Sequence, residues 1–310
     1  MADILQFGAS GQLGRALLRE AERGRKASGQ KTPAPSIAAL DRRSADLLDP
    51  DACAAQVAAV RPKLVILAAA YTAVDQAESE PDLAMRVNAE TPAAIAHAAA
   101  RLGAPLIYIS TDYVFDGRGG APYSERVEPA PINAYGRSKA AGEAAVLAEQ
   151  PASLVLRTSW VFDAVGRNFL TTMLRLGAER DALRVVDDQR GAPTAAGDLA
   201  HAALLAANAL LRELDADDLR GIFHYQGAPS ASWADFADAI FEAAQPFWGR
   251  RPELERIPSS EYPTPAPRPL DTRLDCRRFL TRFEVEQPDW RAAVAAAVTE
   301  ALGASGAKRP

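Results

Sequence analysis

The sequence is poor in the residues that build disulfide scaffolds, metal sites and nucleic-acid interfaces. Its 310 residues include only 2 cysteines, Cys53 and Cys276, and 3 histidines. Two cysteines without a Cys-x-x-Cys spacing exclude a disulfide framework and favour free thiols in a reducing cytoplasm. Lys and Arg number 35 against 40 Asp and Glu, a formal charge of −5. A net-acidic chain is a poor general binder of nucleic acid, whose phosphates require a basic face.

Long apolar runs are missing as well. The alanine-rich stretch 93–100 contains His97, and no window has the roughly 20 apolar residues of a membrane span. The first apolar run, 4–7, leads into glycines and has no basic segment before it, so we expect a strand and not a signal peptide. Hydrophobic residues make up 48% of the chain and aromatic residues only 7%. This composition predicts a globular core built largely from Ala, Leu and Val.

The chain does contain apolar runs that alternate with helical segments. Strands are predicted at 4–7, 37–40, 63–68, 105–110 and 153–158. Helical segments lie between them, among them 81–102, with an interruption at Pro92, and 138–149. Strands separated by helices indicate an α/β fold with a Rossmann-like, doubly wound parallel sheet.

The pattern changes after Trp160. We expect residues 1–160, with a returning segment near 195–226, to form the dinucleotide-binding domain. Residues 161–194 and 227–310 are expected to form a smaller C-terminal part that binds the substrate. The segments 24–36 and 246–269 are rich in Gly, Pro or Ser and predict loops, and 263–269 carries too many prolines for regular structure.

Three glycines follow the first strand and precede a helical segment. Gly8, Gly11 and Gly14 have the spacing that allows a tight turn, a close approach to a pyrophosphate and tight packing of helix on strand. Asp41 ends the second strand, where a carboxylate can accept a hydrogen bond from the adenosine ribose of NADH. Arg42 and Arg43 follow directly, and either could pair with the 2′-phosphate of NADPH. Both cofactors therefore remain open.

Tyr135 and Lys139 are four residues apart in a predicted helix, which places them on one face. A neighbouring ammonium favours the phenolate form of a tyrosine and thereby prepares it for proton transfer. Thr111 follows the strand at 105–110, and the carboxyl ends of parallel strands face the ligand crevice. Thr111 would there offer a hydroxyl to the oxygen of a carbonyl substrate.

These features match the short-chain dehydrogenase/reductase superfamily, and the chain resembles its dTDP-4-dehydrorhamnose reductase family in particular. The resemblance rests on motifs that follow one another in family order along nearly the whole chain. They are Gly-x-x-Gly-Gln-Leu-Gly at 8–14, AAAYTAVDQAE at 68–78, STDYVFDG at 110–117, NAYGRSK at 133–139, RTSWVF at 157–162, DDQRGAPT at 187–194 and PTPAPRP at 263–269.

The resemblance implies roles for individual residues. The catalytic residues would be Tyr135, Lys139 and Thr111. The cofactor would be bound by the glycine turn, by residues near the ribose and adenine, and by a strand-end loop: Gly8, Gly11, Gln12, Leu13, Gly14, Asp41, Asp46, Leu47, Ala70, Tyr71, Thr72, Tyr135 and Lys139. The substrate would contact Thr111, Asp112, Trp160 and Arg268. The family often has histidine at the position of Tyr71.

The resemblance also implies an activity, the NADPH- or NADH-dependent reduction of dTDP-4-dehydro-L-rhamnose to dTDP-L-rhamnose. Tyr135 would donate the proton, assisted by Lys139 and Thr111. A homodimer is compatible with the family, in which some members are bridged by Mg²⁺ through glutamates. Because the first helix has no carboxylate before Glu20, we predict no metal.

Two other functions remain open. One is a related sugar-nucleotide epimerase or dehydratase, which would recycle a tightly bound cofactor. The other is a non-catalytic regulatory subunit, for which the complete set of Thr111, Tyr135 and Lys139 would be unnecessary.

Overall fold

The computed structural model describes residues 2–27, 35–120, 122–213 and 216–306. The strands in this part of the chain are β1 Ile4–Phe7, β2 Ile37–Leu40, β3 Leu64–Leu67, β4 Leu106–Thr111, β5 Leu154–Thr158, β6 Val161–Phe162, β7 Ala182–Val186, β8 Arg190–Gly191, β9 Thr194–Ala195, β10 Gly221–His224, β11 Ala231–Ser232 and β12 Glu253–Ile257. The α-helices are α1 Gln12–Ala27, α2 Pro50–Val60, α3 Val74–Ala77, α4 Pro81–Met85, α5 Thr91–Ala100, α6 Ala134–Glu149, α7 Phe169–Glu179, α8 Ala196–Arg212, α9 Trp233–Trp248, α10 Arg277–Phe283 and α11 Trp290–Gly306.

Six strands form one parallel sheet in the order β10-β5-β4-β3-β1-β2. Side chains of successive strand residues point to opposite faces, and both faces are buried. Ile4 and Ile66 pack with α1 and α8 on one face, whereas Leu5 and Val65 pack with α2 and α5 on the other. Helices cover both faces, so the predicted doubly wound α/β fold is confirmed.

The C-terminal part has a core of its own. Residues of α7, α9 and α11 surround Phe236 and Trp290, which are both buried. Beside them β7 and β12 form a parallel pair, with Ala182 opposite Glu253. The chain also returns to the main sheet, because β10 pairs with β5.

Two loop predictions were partly wrong. Helix α1 continues to Ala27 through Gly24, where no atom lies close enough to disfavour the helix; residues 28–34 of that predicted loop lie outside the described residues. In the segment 246–269, Pro246 belongs to the last turn of α9, and β12 is a regular strand. Strand β12 pairs with the parallel strand β7, and the local sequence does not predict a pairing with so distant a segment. Residues 263–269 lie outside helices and strands, as predicted.

No helix within the described residues is both long and apolar enough to cross a bilayer.

Candidate active site

A cavity of about 920 Å³ opens where the strands β1, β3, β4 and β5 end. It brings together most of the predicted site residues, although these are spread over more than 150 positions of the chain. Those that line it are Gly8, Gly11, Gln12, Leu13, Asp46, Leu47, Ala70, Tyr71, Thr72, Thr111, Asp112, Tyr135, Lys139 and Trp160.

Three predicted site residues do not line the cavity. Gly14 is packed inside the glycine turn, and Asp41 lies in the turn after β2. The guanidinium of Arg268 forms an ion pair with Asp75, with 2.9 Å between Nη2 and Oδ1. The charge of Arg268 is therefore already neutralised by Asp75.

The glycine turn has room for a pyrophosphate. Gly8 has a φ of +92°, a backbone conformation that residues with a side chain rarely adopt. A Cβ at Gly14 would lie 1.9 Å from the carbonyl oxygen of Gly8, whereas one at Gly11 would meet nothing nearer than 3.4 Å. The first turn of α1 follows at Gln12, and free N–H groups at a helix start attract anions. Gly14 is thus required by packing, and Gly11 leaves space toward the cavity.

Helix α6 lies unusually close to its neighbours, and this closeness positions its active-site face. The side chain of Asn133 accepts a hydrogen bond from the N–H of Gly136 at 2.7 Å and begins the helix. A Cβ at Gly142 would lie 2.0 Å from the carbonyl oxygen of Asn88. That carbonyl is in a π-helical turn, 86–90. Pro92 has no N–H to donate to the Asn88 carbonyl. That carbonyl instead accepts a hydrogen bond from the Tyr108 hydroxyl at 2.7 Å.

Tyr135 lies one helical turn before Lys139 and lines the cavity beside Thr111. Burial raises the pKa of Tyr135 above its ordinary value; a hydrogen bond with Thr111 acts against this shift, and the carboxylate of Asp112 adds to it. The direction is opposite to the lowering that the spacing predicts. The hydroxyl of Tyr135 is therefore held in its protonated form.

The amine of Lys139 points toward the sheet. Its Nζ donates a hydrogen bond to the carbonyl of Ile109 at 2.7 Å and lies 3.9 Å from the centre of the Tyr108 ring. Burial lowers the pKa of Lys139 to about 7, and the charge of Glu143 acts against this shift. Lys139 is not among the groups that shift the pKa of Tyr135 in this geometry.

A buried ion pair next to Lys139 was not predicted. Glu143 lies one turn after Lys139, and Arg157 contacts both of its carboxylate oxygens, at 2.9 and 2.6 Å. The hydroxyl of Ser110 also donates to Glu143, at 2.5 Å. The sequence feature that could have predicted this ion pair is Arg157 within the otherwise apolar strand β5, because a buried charge requires a partner.

Asp112 connects the sheet to the C-terminal part. Its Oδ1 accepts a hydrogen bond from the Thr111 hydroxyl at 3.0 Å, and its Oδ2 accepts one from the Thr272 hydroxyl at 2.5 Å. Burial raises the pKa of Asp112 to about 7, although both hydrogen bonds act in the opposite direction. The carboxyl group therefore orients the hydroxyl that faces Tyr135.

Trp160 forms an aromatic wall together with Trp233, a residue the sequence did not single out. The two rings stack with 3.7 Å between their centroids. Trp160 has a positive φ of 45°, and a Cβ at Gly191 would lie 2.8 Å from its indole. Gly191, in the DDQRGAPT motif, is thus required for the position of this ring.

Several further polar side chains line the cavity. Ser10, Arg15, Arg42, Thr158 and Arg167 are among them. The hydroxyl of Thr158 is buried without a hydrogen-bond partner among the described residues, and in the sheet register Thr158 lies opposite Thr111. An unpaired buried hydroxyl at this place fits a site that receives a polar ligand. Among the described residues no group of three or more His, Cys, Asp or Glu side chains could hold a metal ion.

Comparisons with known proteins point in one direction. The family model described as the RmlD substrate binding domain matches residues 1–302. A dTDP-4-dehydrorhamnose reductase from Salmonella typhimurium is 40% identical over 304 residues, which cover 96% of this chain and 97% of that protein. One from Sinorhizobium fredii is 44% identical over 261 residues, covering 84% of this chain and 88% of that protein.

Solved structures agree with the sequence comparisons. The crystal structure of dTDP-4-dehydrorhamnose reductase from Bacillus anthracis in complex with NADP has a TM-score of 0.84 and 35% identity, covering 97% of this chain and 100% of that chain. A UDP-glucose 4-epimerase from Thermus thermophilus in complex with NAD has a TM-score of 0.73 but only 21% identity, covering 97% and 99% of the two chains. The second similarity shows the fold alone.

Proposed function

The chain belongs to the family of dTDP-4-dehydrorhamnose reductases, and from this membership we infer that it reduces the C4 keto group of dTDP-4-dehydro-L-rhamnose to give dTDP-L-rhamnose. It is an NAD(P)H-dependent oxidoreductase. The observation that carries the proposal is that Thr111, Tyr135 and Lys139 line the same cavity as the glycine turn.

The cofactor would occupy the part of the cavity next to β1 and β2. Gly11, Gln12 and Leu13 would hold the pyrophosphate at the start of α1, and Asp46 and Leu47 would flank the adenine. The segment 70–72 would lie along the rest of the dinucleotide. When bound, NAD(P)H supplies the hydride that C4 of the sugar receives.

Tyr135 would donate a proton to the C4 oxygen as negative charge develops there. A raised pKa serves this direction of the reaction, because the donor must carry its proton at neutral pH. The Thr111 hydroxyl would turn away from Asp112 to donate its hydrogen bond to the same oxygen. Lys139 would hold the ribose next to the nicotinamide, since in this geometry its amine does not act on the pKa of Tyr135.

The sugar nucleotide would lie between the catalytic residues and the C-terminal part. Trp160 offers an aromatic face to the apolar surface of the sugar or base, and Asp112 would contact the sugar. Arg167 lines the cavity and has no hydrogen-bond or ion-pair partner within the described residues. It is better placed to bind the diphosphate than Arg268, whose charge is paired with Asp75.

A coupled assay tests this function. dTDP-glucose is converted in situ to the 4-keto-L-sugar, and the loss of NADPH or NADH is followed by absorbance. We expect oxidation only when the keto sugar is present, with one dTDP-L-rhamnose formed for each cofactor consumed. An epimerase or dehydratase would convert sugar without net consumption of cofactor. No oxidation with either cofactor would overturn the proposal.

A further inference from the structure

A row of polar side chains crosses the main sheet beside the cavity. Ser110 of β4 lies opposite Arg157 of β5, and Arg157 lies opposite His224 of β10. Side chains at matched positions of paired strands point to the same face of a sheet, and here that face is covered by α6. The next row, Thr111 opposite Thr158, lines the cavity. The polar row is therefore one residue away from the catalytic Thr111.

Glu143 of α6 accepts hydrogen bonds from this row. Its Oε1 accepts one from the Ser110 hydroxyl at 2.5 Å and one from Nε of Arg157 at 2.9 Å, and its Oε2 accepts one from Nη2 of Arg157 at 2.6 Å. The side chains of Arg157 and Glu143 are 0% and 3% exposed. A bidentate contact of this kind fixes both the distance and the angle between its partners.

His224 holds the other side of the Arg157 guanidinium. Its Nδ1 lies 3.1 Å from the carbonyl oxygen of Tyr123, so Nδ1 carries the proton of the neutral ring and donates it. Its Nε2 then accepts from Nη1 of Arg157, at 3.4 Å. Burial and the charge of Arg157 lower the pKa of His224 to about 3. His224 is therefore neutral, and it orients Arg157 as a hydrogen-bond acceptor.

Two successive turns of α6 contact one face of β4. Lys139 lies one turn before Glu143, and its Nζ is 3.9 Å from the centre of the Tyr108 ring. Tyr108 is two residues before Ser110, so both side chains point to the same face of β4. The contacts of Lys139 with Tyr108 and of Glu143 with Ser110 therefore set the position of the helix along the strand. Tyr135, one turn earlier still on α6, is placed by both.

Stability alone does not account for a charged pair at this place. Desolvation of two ions offsets most of their attraction, and apolar side chains of similar volume often serve equally well in a core. Hydrogen bonds differ from apolar contacts in that they have a direction. Because Arg157 takes up much of the charge of Glu143, the pair supplies position to the active-site face of α6 more than it supplies charge.

We propose that Glu143 and Arg157 are positioning residues for the reduction. They fix α6 against the ends of β4 and β5, so that Tyr135 and Thr111 meet the same oxygen of the substrate. The proposal rests on the proposed function, in which those two hydroxyls act on the C4 oxygen. Neither Glu143 nor Arg157 lines the cavity, so neither contacts a ligand. Loss of the pair therefore slows the chemical step and leaves the binding of both ligands nearly intact.

Replacement of the pair by apolar residues separates position from stability. The double variant Glu143→Leu/Arg157→Met fills a similar volume without charges, and we expect its urea midpoint to stay close to that of the wild type. Its kcat with the keto sugar and NADPH falls about 10–100-fold, because a misplacement of about 1 Å has an effect of that size. The KM for the sugar and the Kd for NADPH change by less than about threefold, since no contact with a ligand is removed.

Two single variants complete the experiment. Ser110→Ala removes only one hydrogen bond of Glu143, next to Thr111, and we expect kcat to fall several-fold with KM unchanged. The matched control is Glu149→Gln on the same helix, because the Glu149 side chain is 43% exposed and pairs with His97 at the surface. We expect this control to keep the kcat and the KM of the wild type.

The double variant decides between a positioning role and a merely structural one. If it folds and turns over as the wild type does, the proposal is overturned, and so it is if KM or Kd rises as much as kcat falls. If the double variant does not fold, a wild-type kcat in Ser110→Ala overturns the proposal instead. A wild type that oxidises no NADPH with the keto sugar refutes the proposed function and this proposal together, whereas an active wild type beside an equally active double variant refutes this proposal alone.

Discussion

Asp112 is a carboxyl group whose titration should be visible in the stability of the protein. Its pKa of about 7 in the folded protein lies above the ordinary value of 3.8 for an aspartic acid, mainly because of burial. The folded state therefore binds this proton more tightly than the unfolded state does. Stability from this group is fully present below about pH 4 and is lost as the pH rises through about 7.

We expect the variant Asp112→Asn to lack this dependence. Relative to the variant, the wild type should lose a few kcal/mol of unfolding free energy between about pH 4 and pH 7, which follows from a shift of about three pKa units. Urea unfolding of both proteins across this range measures the difference. A wild-type-minus-variant difference that stays constant with pH would show that Asp112 is ionised as readily in the folded protein as in the unfolded chain.

Tyr135, Lys139 and Thr111 could be selected from the sequence because the helix spacing and the strand end occur together with the glycine turn earlier in the chain. Thr272 and Trp233 were missed for the opposite reason. Thr272 contacts Asp112 across 160 positions of sequence, and Trp233 stacks on Trp160 where α9 also contacts β6 through Phe236 and Phe162. No local pattern records such contacts.

At the level of elements, the glycine turn shows how one motif combines two different requirements. The Cβ of an alanine at position 14 would overlap the carbonyl of Gly8, whereas at position 11 it would reach only ordinary contact distance. Glycine is required at position 14 by the packing of α1 on β1, whereas at position 11 it leaves space for the ligand.

The two glycines should therefore respond differently to substitution. We expect Gly14→Ala to lower the free energy of unfolding by about 1–3 kcal/mol. Gly11→Ala should change it by less than about 1 kcal/mol while raising the Kd for NADPH. Chemical denaturation and cofactor titration of both variants make the comparison. Equal destabilisation by the two variants would show that the packing argument is incorrect.

The apolar strands of the main sheet were predictable from the sequence, whereas the two-residue strands and the charged strand β12 were not. The five predicted strands of the main sheet are mostly apolar, as is typical of a buried parallel sheet. The two-residue strands β6, β8, β9 and β11 are too short to show any period. Strand β12, Glu253–Ile257, has three charged residues among its five and pairs with β7. Because it lies in a proline-rich segment and has no apolar run, the sequence did not predict it.

For the molecule as a whole, the net charge of −5 does not describe the site. Arg15, Arg42, Lys139 and Arg167 all line the one cavity in which two diphosphates would bind. Basic side chains are thus gathered at the cavity, beside the acidic Asp46, Glu80 and Asp112, and local charge of this kind can attract anionic ligands to an acidic protein. The C-terminal part contributes Arg167 and Trp233 to the lining of the cavity. The homodimer and the cytoplasmic location stay predictions.

The central claim is that this cavity reduces a keto sugar with a proton from Tyr135. The most direct test is to measure turnover of dTDP-4-dehydro-L-rhamnose and NADPH binding for the wild type and for Tyr135→Phe. Tyr262→Phe is the matched control, because Tyr262 is 59% exposed and does not line the cavity. We expect Tyr135→Phe to lower kcat by about 10²–10⁴-fold with the Kd for NADPH nearly unchanged, and Tyr262→Phe to behave as the wild type. Unchanged turnover in Tyr135→Phe would contradict the account.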